Sequence, residues 1–375
     1  MNNMHWASIW GNAVSIGENR PESYGKNITL RYPIFSAFDG DALRLTFDNY
    51  CGTDAICIEK TTILLDGHFY PVTFNKKKQA FIPAGENIVS DPVECPIKAG
   101  FFFKVSFYLK TFTQMRSMVY TSGPLSSGMY AIGDQTEIED IPITISRKTS
   151  YNYFLSNVSV YTKEENRTIV CYGDSITAQD WPDYLALRCR EENYPHTAVI
   201  RRATSGSRIL REYECITYES YGLSGEHRFS HEVPTDGADT VIIQQGINDI
   251  IHPVGEEINP FRPMSDLPTA EELIEGLKTY IAQAREYGYK VYVGTLLPIE
   301  GWRTYAPFRD ELRNAYNNWI RTTDLIDGVI DFDKALCNPE HPTAFLPIYD
   351  SGDHLHPSKE GYQRMAMEVT NSILK

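Results

Sequence analysis

Up to about Ser150 the chain runs in short stretches where apolar and polar positions alternate: NITLRYPIF, ALRLTF after Asp39-Gly40, AICIEKTTILL, FYPVTF after Asp66-Gly67, and FFFKVSFYL. A period of two sends successive side chains to opposite faces of a sheet, and the Gly, Asn and Asp between the runs mark turns. Residues 1–150 are therefore expected to form an all-β, jelly-roll-like antiparallel sandwich, uninterrupted by any helix-period segment. The stretch 151–166 is expected to be a linker.

Over residues 167–375 the pattern changes. The strand-like runs TIVCY, TAVIR, DTVIIQQ, KVYVGTLL and GVIDF alternate with amphipathic stretches, the signature of a doubly wound parallel sheet covered by helices. Thr269 and Glu272 have capping-box spacing ahead of Leu273, Leu277 and Ile281 on one face. Ser358 opens a last helix expected to turn Tyr362, Met365, Val369 and Ile373 toward a core.

Composition adds limits. A chain of 375 residues favours two domains, and 42% hydrophobic with 22% charged residues is ordinary for globular ones. The formal net charge of -14, with no basic cluster beyond Lys76, Lys77 and Lys78, argues against nucleic acid and anionic membrane as partners. A neutral small molecule or oligosaccharide would be indifferent to that field, and a homo-oligomer stays open. The N-terminus has no basic segment leading into an apolar one, so a cytoplasmic protein is expected, or a secreted one if a leader was trimmed. Seven scattered cysteines without a CxxC pair suit free thiols in a reducing compartment.

Functional groups of an open parallel sheet gather beyond the carboxyl ends of its strands. Ser175 stands there, in CYGDSITAQDW, after TIVCY and before a helical segment from Trp181. It is a candidate nucleophile whose neighbouring backbone N–H groups could bind an oxyanion; a turn serine fits the same position. Gly206 in RRATSGSR and Asn248 in QQGINDI follow two further strands and could supply a second and a third donor. Near the C-terminus, YDSGDHLHPS offers Asp353 and His356, a base with a partner to fix its tautomer. His354 is the rival base; neighbouring side chains of an extended loop point opposite ways, so only one of the two is expected to face the site, and His356 is preferred. The two histidines also look like metal ligands, but no matching third ligand appears, and neither metal nor cofactor is expected. The GxSxG elbow of the usual α/β hydrolases is absent.

These blocks, GDSIT (Gly173 to Thr177), Gly206 in TSGSR, GIND (Gly246 to Asp249) and DHLH (Asp353 to His356), resemble in order those of the SGNH, or GDSL, serine esterases. The likeness runs from about Arg167 to the C-terminus, and TLLPIEGW and NNWIRTTDLIDGVIDFDKALCNP resemble the branch with an N-terminal β-sandwich that includes xylan acetylesterases. The resemblance implies Ser175 as nucleophile, His356 as general base and acid, and Asp353 as its orienter. It implies an oxyanion hole from the Ser175 and Gly206 N–H groups and the Asn248 side chain. One departure is Arg201, Arg202 and Ala203, where many relatives open this second block with Asn-x-Gly. The expected activity is hydrolysis of acetyl esters on plant-polysaccharide sugars such as xylan oligosaccharides, with Trp181, Trp302 and Tyr305 as candidate sugar-stacking residues. Two other readings stay open. One is a lipase or thioesterase of the same family acting on longer acyl chains, although no lid-like apolar helix is evident; the other is a carbohydrate-binding protein with an inert hydrolase domain.

Overall fold

Along Gly40–Asp48 the residues Leu43, Leu45 and Phe47 are buried while Ala42, Arg44 and Thr46 are half-buried, which is the alternation of a strand with one face on a core. The structure, a computed structural model, describes residues 3–16, 24–215 and 217–375, so part of the N-terminal stretch read for a leader lies outside them. It divides into two units: one holds the residues up to Thr168 with Cys189–Arg201 and Thr235–Gly237, the other Ile169–Arg188, Arg202–Pro234 and Ala238–Lys375.

The first unit is strand-rich. Its main strands are β1 (Met4–Gly11), β2 (Ile28–Phe35), β3 (Gly40–Asp48), β4 (Lys60–Leu65), β5 (His68–Val72), β6 (Asn87–Val89), β7 (Val93–Ile97), β8 (Phe102–Leu109), β9 (Gly128–Ile132), β10 (Ser146–Thr149) and β11 (Leu155–Lys163). They form a five-stranded sheet in the order β1-β11-β3-β6, with β7 also on β3, and a six-stranded sheet in the order β10-β9-β2-β8-β4-β5. Phe47 and Phe107, from one sheet and the other, meet edge to face at 5.0 Å between ring centroids.

The expected linker over 151–166 is corrected here. Residues Leu155–Lys163 are an interior strand, paired antiparallel with β1 on one side and β3 on the other. Asn157 and Ser159 lie on the face opposite the core residues Val158 and Val160, yet are buried and are satisfied there: Asn157 Nδ2 donates to the Ser8 and Ser159 hydroxyls at 3.0 and 2.9 Å, and Ser159 Oγ donates to Asp236 at 2.6 Å.

The second unit is α/β. Its elements, although the first two residues of β12, the end of α2 and most of β13 are counted with the first unit, are β12 (Arg167–Gly173), α1 (Ser175–Ala178), α2 (Trp181–Glu191), β13 (Thr197–Ala203), α3 (Gly225–Glu232), β14 (Ala238–Gln244), α4 (Ile247–Ile251), α5 (Ala270–Glu286), β15 (Lys290–Gly294), α6 (Pro307–Thr322), β16 (Gly328–Ile330), α7 (Phe332–Leu336), α8 (Lys359–Glu368) and α9 (Asn371–Leu374). The five strands lie in the order β13-β12-β14-β15-β16, and β15 is parallel to both its neighbours. The capping box of α5 is complete: Glu272 N–H donates to Thr269 Oγ1 at 3.2 Å and Thr269 N–H to the Glu272 carboxylate at 2.7 Å. Among the described residues no helix is long and apolar enough to cross a membrane.

The last helix is not continuous as expected. It stops at Glu368, Val369 is extended, and a short α9 follows, although Tyr362, Met365, Val369 and Ile373 are all buried. The cause is distant in sequence: Arg188 donates to the carbonyls of Ala366 and Val369 at 2.9 and 2.6 Å, taking acceptors that a continuing helix would use. A strand at 155–163 makes a testable difference. Val160 is fully buried between Ala7 and Leu43, so Val160→Ala should lower the unfolding free energy by roughly 2 kcal/mol in denaturant titration, whereas a linker position would leave it unchanged.

Candidate active site

Strand β12 ends at Gly173, and the chain turns at once into α1. A Cβ at Gly173 would collide with the Gln244 carbonyl oxygen at the end of β14 and with Thr177 Oγ1, so only glycine lets the two strand ends approach. Asp174 caps α1, its Oδ1 accepting the Ile176 N–H at 3.1 Å. Ser175 is then the first residue of the helix, 8% exposed.

The loop before α8 delivers the other two groups. His356 Nε2 lies 2.9 Å from Ser175 Oγ, and His356 Nδ1 lies 2.7 Å from Asp353 Oδ2. With Nδ1 donating to the carboxylate, Nε2 is the acceptor for the serine proton. Asp353 Oδ1 accepts the backbone N–H groups of Leu355 and His356 at 2.9 and 2.8 Å. Burial alone would raise the Asp353 carboxyl, but the bonds from the His356 ring and these two amides outweigh it and hold the group well below the usual carboxylate range.

His354 forms a dyad of its own, its Nδ1 2.6 Å from Asp350 Oδ2. The expectation that alternation along an extended loop separates the two histidines needs correction: residues two apart share a side of an extended run. What separates them is backbone conformation, since His354 sits at φ 63°, in the left-handed region.

Gly206 follows β13 at φ 82°, in a turn closed by the Ser207 N–H on the Thr204 carbonyl at 3.3 Å. A side chain there would run into the ring of Tyr221. That tyrosine is held at its hydroxyl by Arg262 Nη2 at 3.1 Å and lies 5.0 Å from the ring of buried His252. Burial, with the charges of Arg262, Arg208 and Arg303, pushes His252 well below its ordinary pKa, so a neutral ring backs Tyr221. The residues in the place of Asn-x-Gly, Arg201 and Arg202, are buried in β13, with Arg202 Nε donating to the Glu232 carbonyl at 2.8 Å.

Asn248 lies in α4, buried, and gives one amide hydrogen to the Ser207 carbonyl at 3.0 Å, leaving the other for a ligand. Ser207 is fixed in turn, its hydroxyl 2.6 Å from Arg228 Nη1 and 2.7 Å from Gln245 Nε2, while Arg228 is paired with buried Glu232 at 2.8 Å. Asp249 accepts the N–H groups of Ile209 and Leu210 at 2.8 and 3.1 Å and so ties the loop that follows Gly206 to α4.

Ser175, His356 and Asp353 are thus brought together, and Gly206 and Asn248 share the Ser207 segment. Trp181 is not a site residue. It is fully buried at the start of α2, packed on Phe332 at 5.6 Å, and a ring without accessible surface cannot stack on a sugar. Trp302 and Tyr305 are half-buried, in a loop where Gly301 packs against the His354 ring. Sequence reasoning missed Tyr221, Arg228 and the clamping role of Asp249; an Asp after Asn248 in GIND looks like any turn residue until its two amide partners, far along the chain, are in place.

A GDSL-like lipase/acylhydrolase family model matches residues 171–364. No curated protein matches the chain. Among solved structures it is similar to a lipase/acylhydrolase from Enterococcus faecalis (21% identity, 56% of this chain and 95% of that one, TM-score 0.40). It is also similar to a GDSL-like lipase from Bacteroides thetaiotaomicron (18% identity, 55% and 87%, TM-score 0.36). A third likeness is to a mutant of an acetyl-xylooligosaccharide esterase from Geobacillus (18% identity, 54% and 91%, TM-score 0.40).

Burial of two carboxyls gives the site a pH signature. Desolvation pushes Asp174 up to about 7 and Asp249 up to about 6, both from 3.8. Between these values and 3.8 the folded protein holds protons that the unfolded chain has released, so this stability is complete below the unfolded pKa and is lost as pH rises through the folded one. Asp174→Asn should therefore gain stability relative to the wild type between about pH 4 and about pH 7, by at most ~1.4 kcal/mol per pH unit. Denaturant titrations across that window check it, and parallel pH profiles for the two proteins would contradict it.

Proposed function

The chain belongs to the GDSL-like lipase/acylhydrolase family, and from that premise we propose that it is a serine esterase for short acyl groups, above all acetyl groups on plant-polysaccharide sugars such as xylan oligosaccharides. Membership makes it a carboxylic ester hydrolase; the acyl and sugar preferences are the proposed refinement. The observation that carries the mechanism is the chain of contacts from Asp353 to His356 at 2.7 Å and from His356 to Ser175 at 2.9 Å.

In this mechanism Ser175 Oγ attacks the ester carbonyl while His356 Nε2 takes its proton. The tetrahedral intermediate collapses with breakage of the bond to the alcohol oxygen, and His356 returns the proton to that oxygen. Water, deprotonated by His356, then attacks the acyl-serine; the bond to Ser175 Oγ breaks, His356 returns the proton to that oxygen, and acetate is released. The Ser175 and Gly206 N–H groups, which have no acceptor among the described residues, and the second Asn248 hydrogen are the proposed donors to the oxyanion. Asp353 orients the imidazole and stabilises its cationic form.

Support for a short acyl group comes from Tyr221, whose ring stands against Gly206 and so beside the proposed oxyanion donors, pinned by Arg262 and backed by His252. A pinned aromatic wall leaves little room for an alkyl chain. Support for a sugar comes from Trp302 and Tyr305, half-buried in the loop where Gly301 meets the His354 ring, so that both keep accessible surface for stacking. We further propose that the first unit is a jelly-roll-like sandwich preceding a hydrolase domain over residues 167–375, because Leu45 and Phe47 of β3 and Tyr32 and Phe107 of β2 and β8 belong to one buried cluster.

Acetate release from acetylated xylo- and manno-oligosaccharides tests the mechanism. Ser175→Ala should abolish it, and Asn248→Ala should lower kcat by about 10²-fold or more; full activity in a clean preparation of Ser175→Ala would instead favour a binding protein with an inert hydrolase domain. Acyl preference is read separately, as the ratio of p-nitrophenyl octanoate to p-nitrophenyl acetate turnover. Acetate should be the faster, and Tyr221→Ala should raise the ratio by about tenfold or more. Faster octanoate turnover in the wild type would make the protein a lipase or thioesterase.

A further inference from the structure

A cavity of about 500 Å³ opens in the first unit on the face of the six-stranded sheet that points away from the apolar core. Strand register explains which side chains meet there. Lys148 on β10 pairs with Met129 on β9, Met129 with Arg31 on β2, and Arg31 with Ser106 on β8, so these four share one face across the sheet. Lys104, two residues before Ser106, falls on the same side beside Pro33. Three cations therefore line one pocket, together with Glu139 and Asp140 from the loop above it.

Arg31 builds the pocket and is not its free ligand. It is buried, and its guanidinium donates to the Ser106 hydroxyl at 2.7 Å and to the carbonyls of Gln135, Ile138 and Glu139 at 3.0, 2.6 and 2.9 Å. These bonds hold the loop carrying Glu139 and Asp140 over the sheet, but none of them is to a carboxylate. Lys104 is half-buried and Lys148 exposed, and neither has an ion-pair or hydrogen-bond partner among the described residues. The carboxylates of Glu139 and Asp140 accept no hydrogen bond and form no direct ion pair among the described residues, although Asp140 acts on the Arg31 charge through space. Apart from that one long-range interaction, the charges of Lys104, Lys148 and Glu139 are not spent on one another as they would be in a structural salt-bridge network.

We propose that this pocket binds a sugar carrying a single carboxylate, a hexuronate. Charge decides the anion. Three cations against two carboxylates leave one positive charge in excess, which a carboxylate balances and a phosphate dianion would exceed. Shape and polarity decide the sugar. The volume suits one ring with its substituents; Glu139 and Asp140 are acceptors for ring hydroxyls, Ser127 adds a further partner, and Pro33 with Met129 offers apolar surface to a ring face. Nothing in this depends on ester hydrolysis in the second unit.

The test is calorimetric titration of the full-length protein with D-glucuronate, D-glucose and D-glucose 6-phosphate. Glucuronate should bind at one site and neutral glucose at least about tenfold more weakly, since hydrogen bonds to charged groups each carry roughly that factor. The double variant Lys104→Ala with Lys148→Ala should lose about tenfold or more of glucuronate affinity, while Lys104→Arg with Lys148→Arg retains it. Turnover of p-nitrophenyl acetate, unchanged in the alanine variant, would report an intact fold. The proposal is overturned if glucuronate does not bind, if glucose or the 6-phosphate binds as tightly, or if the alanine variant keeps wild-type affinity.

Discussion

Two strand ends, those of β12 and β14, come so close at Gly173 and Gln244 that a hydrogen atom is the only side chain that fits between them. They are neighbours in the sheet, and each turns directly into a short helix, one beginning at Ser175 and the other at Ile247, one residue before Asn248. The hydroxyl and the amide proposed to act on one carbonyl thus come from adjacent strand ends with hardly any loop between scaffold and functional group. Placement of this kind costs little conformational entropy, because the atoms that must stay still are already part of the sheet.

Around that constraint the polar groups fall into two layers. Asp249, Arg228, Glu232 and Gln245 are buried: Asp249 holds backbone, Arg228 and Gln245 hold the Ser207 hydroxyl, and Glu232 holds Arg228. Burying so many polar groups is favourable only when nearly all are bonded, and a network bonded in this way has few alternative arrangements. Exposure rises toward the acid–base groups, from 8% at Ser175 to 22% for the His356 side chain and 42% for that of Asp353. A floor that cannot rearrange and a proton-handling pair open to water suit a reaction in which an alcohol departs and a water enters.

Periodicity along the chain made most of the scaffold legible. Every strand of the α/β sheet lies under an apolar run, and the α5 capping box appears where Thr269 and Glu272 predicted it. The failures share a cause. Residues 155–163, within the stretch expected to be a linker, carry the polar Ser156, Asn157 and Ser159, yet all three are buried, and the bonds that permit it run to Ser8, Thr46 and Asp236. The last helix is interrupted by Arg188, some 180 residues earlier. Trp181 could not be told from a surface ring without knowing that Phe332 lies against it. In each case a local pattern was overruled by a partner distant in sequence, which no window along the chain contains.

The site divides along the same line. Ser175, Asn248, Asp353 and His356 sit at or beside the ends of regular elements, where type and spacing alone pick them out. Tyr221 does not: it lies in the long segment between β13 and α3, eighteen residues past the end of its strand, and meets Gly206 only because the intervening chain folds back and Arg262 pins its hydroxyl. Loops of this kind are tied to the scaffold at few points, so their residues can change without disturbing the sheet. In the proposed mechanism the reaction type is therefore carried by the ends of β12 and β14 with the loop before α8, and the proposed acyl preference by a ring set in a long segment and pinned by Arg262. Two chains with the same four blocks would then share chemistry and differ in substrate, with the difference located at Tyr221 rather than at Ser175, His356 or Asp353.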